Sequence, residues 1–346
     1  MALALAIGSR YILAPGLVKG AGMRFAGWIV AIVVLALAAS WFGGQEIARR
    51  AQAALAEMAQ MDRARVGSVS AAGFPLRVGV DFRDLALLDG PQVETPRLVA
   101  TAPLWNPLDW SGDVSLPMAV TLNGMRFNVT GTQAGGGLRA GYAPGWPVRA
   151  ARIAISDPAA TYEAAEIPSL AARDLRLAAV QEGSGAYRID AGVDALTLPP
   201  GLAASLTPNA KFSDTIETIT AQGLVTFSTP FTLSPQPAAP EITALTIDTL
   251  RLVWDGHEIG LSGSLTVAPD GRPEGTLNLR LHDWEDWLEF AQGAFNIDRR
   301  AMPVLTILGN TLSQGTGDGS IVAPLTFRNG EMALGPVPLG PAPLLR

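Results

Sequence analysis

Hydrophobic and polar residues follow two different periods along the chain, and the change falls near residue 65. Before it comes an uncharged run, residues 25–44, and then a helical spacing of apolar residues that extends to residue 64. After it, apolar residues recur at every second position, which is typical of strands with one buried face. The pattern therefore predicts a helical N-terminal part and a β-rich domain at residues 65–346.

Residues 25–44 are predicted to form a transmembrane anchor. About 20 uncharged residues in a helix rise roughly 30 Å, which matches the hydrocarbon core of a bilayer. Trp28 and Trp41 lie near the two ends of the run, where amphipathic rings favour the headgroup region. We expect residues 1–24 to be a short cytoplasmic tail and the β-rich domain to lie outside the cytoplasm.

Two alternatives for the N-terminal part stay open. Ala36-Leu37-Ala38 fits the small-x-small rule for signal-peptide cleavage, so the run could be a removed leader instead of an anchor. Met23 could also be the true start, which would make residues 1–22 an upstream extension. Residues 45–64 continue as a juxtamembrane helix whose apolar stripe either packs on the β domain or lies in the membrane interface.

The strand pattern predicts a large antiparallel sheet with one apolar face. Asp255-Gly256 and Asn123-Gly124 are two-residue hairpin turns, in which both positions need a positive φ. Prolines at residues 230–240 mark a possible boundary between two lobes. The candidate lining of the apolar face is Leu76, Val78, Val80 and Phe82 in an early strand, and Leu250, Leu252, Trp254, Ile259 and Leu261 in a later hairpin.

Two late helices interrupt the strands, one starting after Asp283 and one from about Met302 to Leu312. The predicted fold class is therefore mainly β. It consists of an N-terminal transmembrane helix, a juxtamembrane helix, and a large antiparallel β-sheet domain on which the two late α-helices pack. The sheet could be curled into a groove or folded as a sandwich, and the sequence leaves both open.

Composition removes several classes of function. The formal net charge of −6, with no stripe of Lys and Arg, argues against nucleic acid as a partner. The chain has no cysteine, which excludes disulfides, thiolate metal sites and a cysteine nucleophile. No nucleotide-binding or hydrolase motif is present. We therefore predict no cofactor and no enzymatic activity.

The candidate chemical residues favour structural roles. His257 and His282 are the two histidines of the chain, and we expect His257 opposite Trp254 at the rim of the apolar face. A metal there would need carboxylates from elsewhere. In Trp284-Glu285-Asp286-Trp287, the paired acids suit a helix N-terminus better than sugar hydrolysis. No catalytic, metal-binding or cofactor-binding residue is predicted.

The order of short motifs resembles a bacterial family catalogued as domain of unknown function 2125. These motifs are Gly73-Phe74-Pro75, Trp105-Asn106-Pro107, and Asn329-Gly330 leading to Leu334-Gly335-Pro336. The resemblance implies a double-membraned bacterium and a periplasmic domain on the inner membrane, with no established activity. More distantly, an anchor followed by β-hairpins is similar to AsmA-like envelope proteins, whose β grooves bind lipid.

Two functions remain as expectations. If the sheet forms a trough, its apolar face becomes a lipid-sized groove, and the protein would bind lipid or acyl chains for envelope maintenance. If two sheets pack face to face, the same residues form an ordinary core. The alternative function is an envelope assembly or scaffold protein that acts through contacts with other envelope proteins.

Overall fold

A computed structural model describes residues 62–88, 92–122, 124–163, 168–203, 212–234, 239–295 and 302–345, with residues 43, 45–53, 55–56 and 59–60. The predicted tail and anchor, residues 1–44, lie outside the described residues except for Gly43. No helix among the described residues is both long and apolar enough to cross a membrane.

The domain is mainly β, as predicted, with its strands joined in one antiparallel sheet. The first ten strands are β1 Ala64–Arg65, β2 Ser68–Ala72, β3 Arg77–Leu87, β4 Gln92–Pro103, β5 Asp109–Val114, β6 Met118–Leu122, β7 Met125–Thr130, β8 Gln133–Ala140, β9 Val148–Ser156 and β10 Ala159–Tyr162. The others are β11 Pro168–Ala171, β12 Asp174–Gln181, β13 Ala186–Thr197, β14 Thr215–Phe227, β15 Ile242–Trp254, β16 His257–Val267, β17 Pro273–Leu281, β18 Ile321–Arg328, β19 Glu331–Leu334 and β20 Val337–Pro341.

Helical residues precede the sheet and interrupt it late in the chain, and Leu202 and Ala203 are also helical, between β13 and β14. The described residues between 43 and 60 are helical, and Ala64, the last residue of the predicted juxtamembrane segment, begins β1. The two late helices are confirmed as α1, Trp284–Phe295, and α2, Met302–Ser313. Both lie between β17 and β18. The helix α1 packs on one end of the apolar face of the sheet, and α2 contacts β18 and α1.

The sheet is a meander in which each long strand pairs with its neighbours in sequence. Five consecutive pairs, such as β5 with β6 and β7 with β8, act as single strands broken by two or three residues. When each of these pairs is counted as one strand, the twenty strands become fifteen. Among the described residues, β1 and β2 pair with β3 alone and β20 pairs with β19 alone, so the sheet is open.

The register places apolar residues in continuous rows on one face. One row crosses the sheet through Phe82, Leu98, Val114, Ala134, Ile155, Leu175, Val193, Ile219, Leu252, Ile259, Leu281 and Ile321. Because strand side chains alternate between faces, the residues between them form a polar face. Cross-strand ion pairs lie there, including Arg176 with Asp194 at 2.9 Å and Arg251 with Glu258 at 2.7 Å.

Two clusters of buried side chains mark the covered part of the apolar face. The first contains Phe212, Ile216 and Trp254, which lie beneath α1, and Trp287, which belongs to α1 itself. Leu265, Leu277 and Phe327 form the second, on β16 to β18. At the other side of the sheet, the N-terminal helical segment lies over β3, since a methyl group placed on Gly43 would be 3.9 Å from Val78 Cγ1.

Several local predictions are confirmed by the register. Leu122 pairs with Met125, and Trp254 pairs with His257 across Asp255 and Gly256, which both have positive φ. The proline-rich tail forms the edge strand β20, where a residue without an N–H is tolerated. The strands β14 and β15, on either side of residues 230–240, pair along their length, so the sheet continues past this segment.

Candidate functional site

A cavity of about 500 Å³ lies on the apolar face of β4, β5, β8 and β9. The side chains that line it are apolar with one exception, and none is charged. The lining residues are Leu98, Ala100, Trp110, Ser111, Gly112, Val114, Met118, Ala134, Gly135, Gly136, Gly137, Leu138, Ile153 and Ile155. Such a site suits an uncharged, apolar ligand group.

Glycines create this cavity. One row of the sheet runs from Ala100 through Gly112 and Gly136 to Ile153, so two adjacent strands present no side chain to the apolar face. Trp110 and Leu138 pair with each other along the next row and form one wall. The backbone is also tightly approached here, because a Cβ on Gly136 would lie 2.7 Å from the Arg152 carbonyl oxygen. A small residue is therefore required at that position.

The cavity is open to solvent. Ile153, on its wall, keeps 51% of its surface exposed, and Leu177, which pairs with it on the next strand, keeps 42%. Large aliphatic side chains in a closed core would be buried. A single sheet with exposed residues on its apolar face therefore forms a groove at β4 to β12. The groove is not the core of a sandwich.

The nine candidate residues lie on or near this face but outside the cavity lining. Val78, Val80 and Phe82 belong to β3, and Val80 and Phe82 pair with the lining residues Ala100 and Leu98. Leu76 precedes β3 in a turn and is 61% exposed. The other five, Leu250, Leu252, Trp254, Ile259 and Leu261, lie on β15 and β16, several strands away.

The later five residues occupy the covered part of the face. Trp254 is buried beneath α1, and Leu252 and Ile259 pack against the same cluster. Sequence reasoning missed the glycine-rich cavity residues because a glycine carries no hydrophobic signal. The available sign was their position: Gly136 is the middle of three consecutive glycines within a strand signal, and Gly112 also lies within one.

His257 serves the packing of α1. Its Nε2 lies 2.8 Å from Asp286 Oδ2, and its Nδ1 lies 3.2 Å from the Trp254 carbonyl oxygen. Burial alone would lower the pKa of His257, but the hydrogen bonds and the charges of Asp286 and Asp283 outweigh it, and the pKa is raised. Among the described residues, no group of three His, Asp or Glu side chains could hold a metal ion.

The tryptophans that flank Glu285 and Asp286 also have structural positions. Trp284 and Trp287 are 6% and 5% exposed, and Trp287 lies in the cluster with Phe212 and Trp254. Asp286 holds His257, which attaches the first turn of α1 to the turn between β15 and β16. The four-residue motif therefore fixes a helix on the sheet.

The fold and the cavity define a class: a protein built on one open antiparallel sheet, polar on one face, with an uncharged apolar groove on the other. Within that class, residues 41–343 match the family DUF2125, described as an uncharacterized protein conserved in bacteria. The match covers most of the chain, and the chain belongs to this family. No curated protein and no solved structure matches it.

Proposed function

We propose that this protein is a membrane-anchored periplasmic protein that binds lipid or acyl chains in its apolar groove and so supports the cell envelope. The observation that carries the proposal is the open cavity of about 500 Å³ without a charged lining residue. This volume falls in the usual range of small-molecule sites, roughly 300–1,000 Å³. An acyl chain gains about 0.8 kcal/mol for each methylene that it buries.

The polar character of the opposite face of the sheet supports placing the ligand on the apolar face. Ion pairs such as Arg97 with Asp81 and Arg188 with Asp248 cross its strands, at 2.9 and 2.6 Å, and give that face a hydrated surface. The predicted anchor at residues 25–44 would keep the groove within reach of the membrane lipids.

The alternative, an assembly or scaffold protein, has less support from the sheet edges. Adding a partner strand requires free N–H groups along an edge. The edge strand β20 carries Pro338 and Pro341, which cannot donate.

Filling the groove tests the proposal. At Gly112, a Cβ would be 3.5 Å from the nearest atom, so Gly112→Leu can place its side chain in the cavity without a backbone clash. We expect this variant of the full chain to lose at least about tenfold of its affinity for a fluorescent fatty acid, because about two or three buried methylenes are displaced. The lipid that co-purifies should fall in parallel, as measured by native mass spectrometry.

The matched control is Gly260→Leu. Gly260 pairs with Arg251 and Arg280 on the polar face, and a Cβ there would be 3.7 Å from Arg280 Cβ. This variant should bind the fatty acid like the unaltered protein. Equal binding by the Gly112 and Gly260 variants, or no bound fatty acid in the unaltered protein, would contradict the proposal.

A further inference from the structure

The exposed aromatic side chains of the domain gather at one end of the sheet. Among the described residues, five are exposed: Phe74, Trp105, Tyr142, Trp146 and Phe231. They belong to the connections β2–β3, β4–β5, β8–β9 and β14–β15. The register places all four connections at the same end, since Arg77 pairs with Pro103 and Asp109 with Arg139. We call these five residues the aromatic edge.

Backbone hydrogen bonds join these connections into one continuous border. Leu104 N–H donates to the Leu76 carbonyl at 3.2 Å, and Ala140 N–H donates to the Leu108 carbonyl at 2.9 Å. Leu233 N–H donates to the Trp146 carbonyl at 3.1 Å. Four separate connections are therefore held side by side. Trp105 and Tyr142 are the most exposed of the five, at 75% and 77%.

The opposite end of the sheet has a different surface. There the β6–β7 hairpin exposes aliphatic residues, Leu122 and Met125, and no exposed aromatic side chain is found among the described residues of that end. Tyr and Trp combine an apolar body with a polar group, and they are enriched where protein meets the headgroup layer of a bilayer. The aromatic edge has this composition, and the opposite end does not.

The path of the chain places the aromatic edge beside the predicted anchor. Gly43 lies against Val78, the second residue of β3, directly after the turn that bears Phe74. The helical segment then runs to the other end of the sheet, where Ala64 pairs with Leu87. Gly43, the first described residue of the helical segment, therefore lies near the aromatic edge, and the residues predicted to span the membrane end next to it in the sequence.

The groove reaches the same end. Its wall residues Trp110 and Leu138 are the second residue of β5 and the third-last of β8. The connections that carry Trp105 and Tyr142 begin immediately beyond these strand ends. The five residues of the aromatic edge carry no charge. Near them, Arg139 is paired with Asp109 at 2.9 Å, and Arg77 donates to Thr101 Oγ1 at 2.9 Å and to Ser111 Oγ at 2.6 Å.

From these observations we infer that the aromatic edge is a bilayer-contact surface, which lies in the headgroup layer and opens the groove toward the lipids of the membrane that holds the anchor. The inference rests on the proposed membrane-anchored function and adds to it an orientation and a source for the ligand. Since the contact uses aromatic insertion and not charge, it needs no anionic lipid and is insensitive to salt.

Single-cysteine spin labelling tests the orientation on the full chain, which has no native cysteine. Ala143→Cys places a nitroxide between Tyr142 and Trp146, and Met125→Cys places the matched label at the opposite end. In proteoliposomes of phosphatidylcholine, we expect the Ala143 label to be several-fold more accessible to oxygen, relative to a water-soluble nickel chelate, than the Met125 label. The ratio should not change between low and high salt.

A second variant pair separates insertion from simple proximity. When Trp105→Ser and Tyr142→Ser are added to the Ala143→Cys variant, its label should move into water. When Leu122→Ser is added to the Met125→Cys variant, the accessibility of its label should not change. Equal, water-like accessibility at both ends of the sheet would overturn the inference. If acyl-chain binding is then still lost in Gly112→Leu, the proposed function stands without the orientation. If the Ala143 label is buried in the bilayer but no acyl chain binds, the result would support the orientation and contradict the proposed acyl-chain ligand.

Discussion

Single residues decide where this sheet is filled and where it is open. Gly112 and Gly136 leave a gap in the row between Ala100 and Ile153, although both neighbouring strands present apolar side chains. Elsewhere on the same face, Trp254 and Phe212 fill the corresponding space, with ring centroids 4.8 Å apart. One sheet face thus holds both a packed aromatic cluster and an open groove, depending on which residue type occupies each row.

At the same scale, the contact between His257 and Asp286 makes stability depend on pH. The raised pKa means that the folded protein binds the His257 proton more tightly than the unfolded chain, whose pKa is near the ordinary value of 6.5. The stabilisation is complete below pH 6.5 and is lost as the pH rises through the folded value. We expect the free energy of unfolding of the full chain in detergent to fall as the pH rises above about 6.5.

The variant His257→Gln isolates this contribution. It keeps a hydrogen-bonding group but cannot take the proton, so the fall in stability over that pH range should be smaller than in the unaltered protein. At low pH it should be less stable by about 1.5–3 kcal/mol, the usual value of a hydrogen bond to a charged group. Parallel denaturant titrations measure both effects, and identical pH profiles for the two proteins would rule out the role given to His257.

At the scale of elements, the two late helices depend on one close contact. Gly309, in α2, is buried, and a Cβ at that position would overlap the indole ring of Trp284 in α1. The glycine therefore allows α2 to approach α1. Helix propensity alone would predict that alanine improves the helix by about 1 kcal/mol.

We predict the opposite for Gly309→Ala, which should lower the free energy of unfolding by about 1–3 kcal/mol because the close contact is overpacked. The adjacent exposed residue gives a matched comparison, since Asn310→Ala changes propensity without that contact and should be neutral or slightly stabilising. Denaturant unfolding measures both. A smaller loss for Gly309→Ala in a Trp284→Leu background would attribute the effect to the indole ring.

Sequence reasoning was most reliable for single secondary-structure elements and the turns that join them. Turn chemistry predicted the pairing of Leu122 with Met125 and of Trp254 with His257, and the structure confirms both. A two-residue turn fixes the register of its hairpin, so local residues are sufficient. The five interruptions that divide long strands were not predicted, because each depends on pairing with strands on both sides.

For the whole molecule, the main feature is that, among the described residues, each long strand pairs only with its neighbours in sequence. The sheet therefore behaves as a linear array, in which stability is a sum over adjacent pairs and is lowest at the ends. β13 with β14 and β14 with β15 form eleven and ten residue pairs, and these long pairings lie away from both edges.

This arrangement predicts a gradient of protection against hydrogen exchange. Backbone amides of β14 and β15 should exchange most slowly in the full chain, and those of β1, β2, β19 and β20 most rapidly, by at least about tenfold. Mass spectrometry of peptides after exchange in detergent measures the gradient. Uniform protection across the fifteen strands would instead indicate that the sheet opens as one cooperative unit.

The sequence by itself determined what depends on neighbouring residues: the mainly β class, the one-sided apolar pattern, the hairpin turns and the two late helices. It also indicated membership of the family, because the order of short motifs along the chain can be recognised without knowing where they lie in space. These features follow from periods of two and 3.6 residues and from the backbone preferences of Asn, Asp and Gly, all of which act over short distances.

Only the tertiary structure decided whether the apolar face is open. The same alternation is produced by a face that α1 covers, as at Trp254, and by one that faces solvent, as at Ile153. Burial depends on what lies opposite a residue in space, and alternation along one strand carries no information about that partner. The position of the groove at Gly112 and Gly136, and the collection of exposed aromatic residues at one end, likewise arise from the register of strands that are distant in sequence.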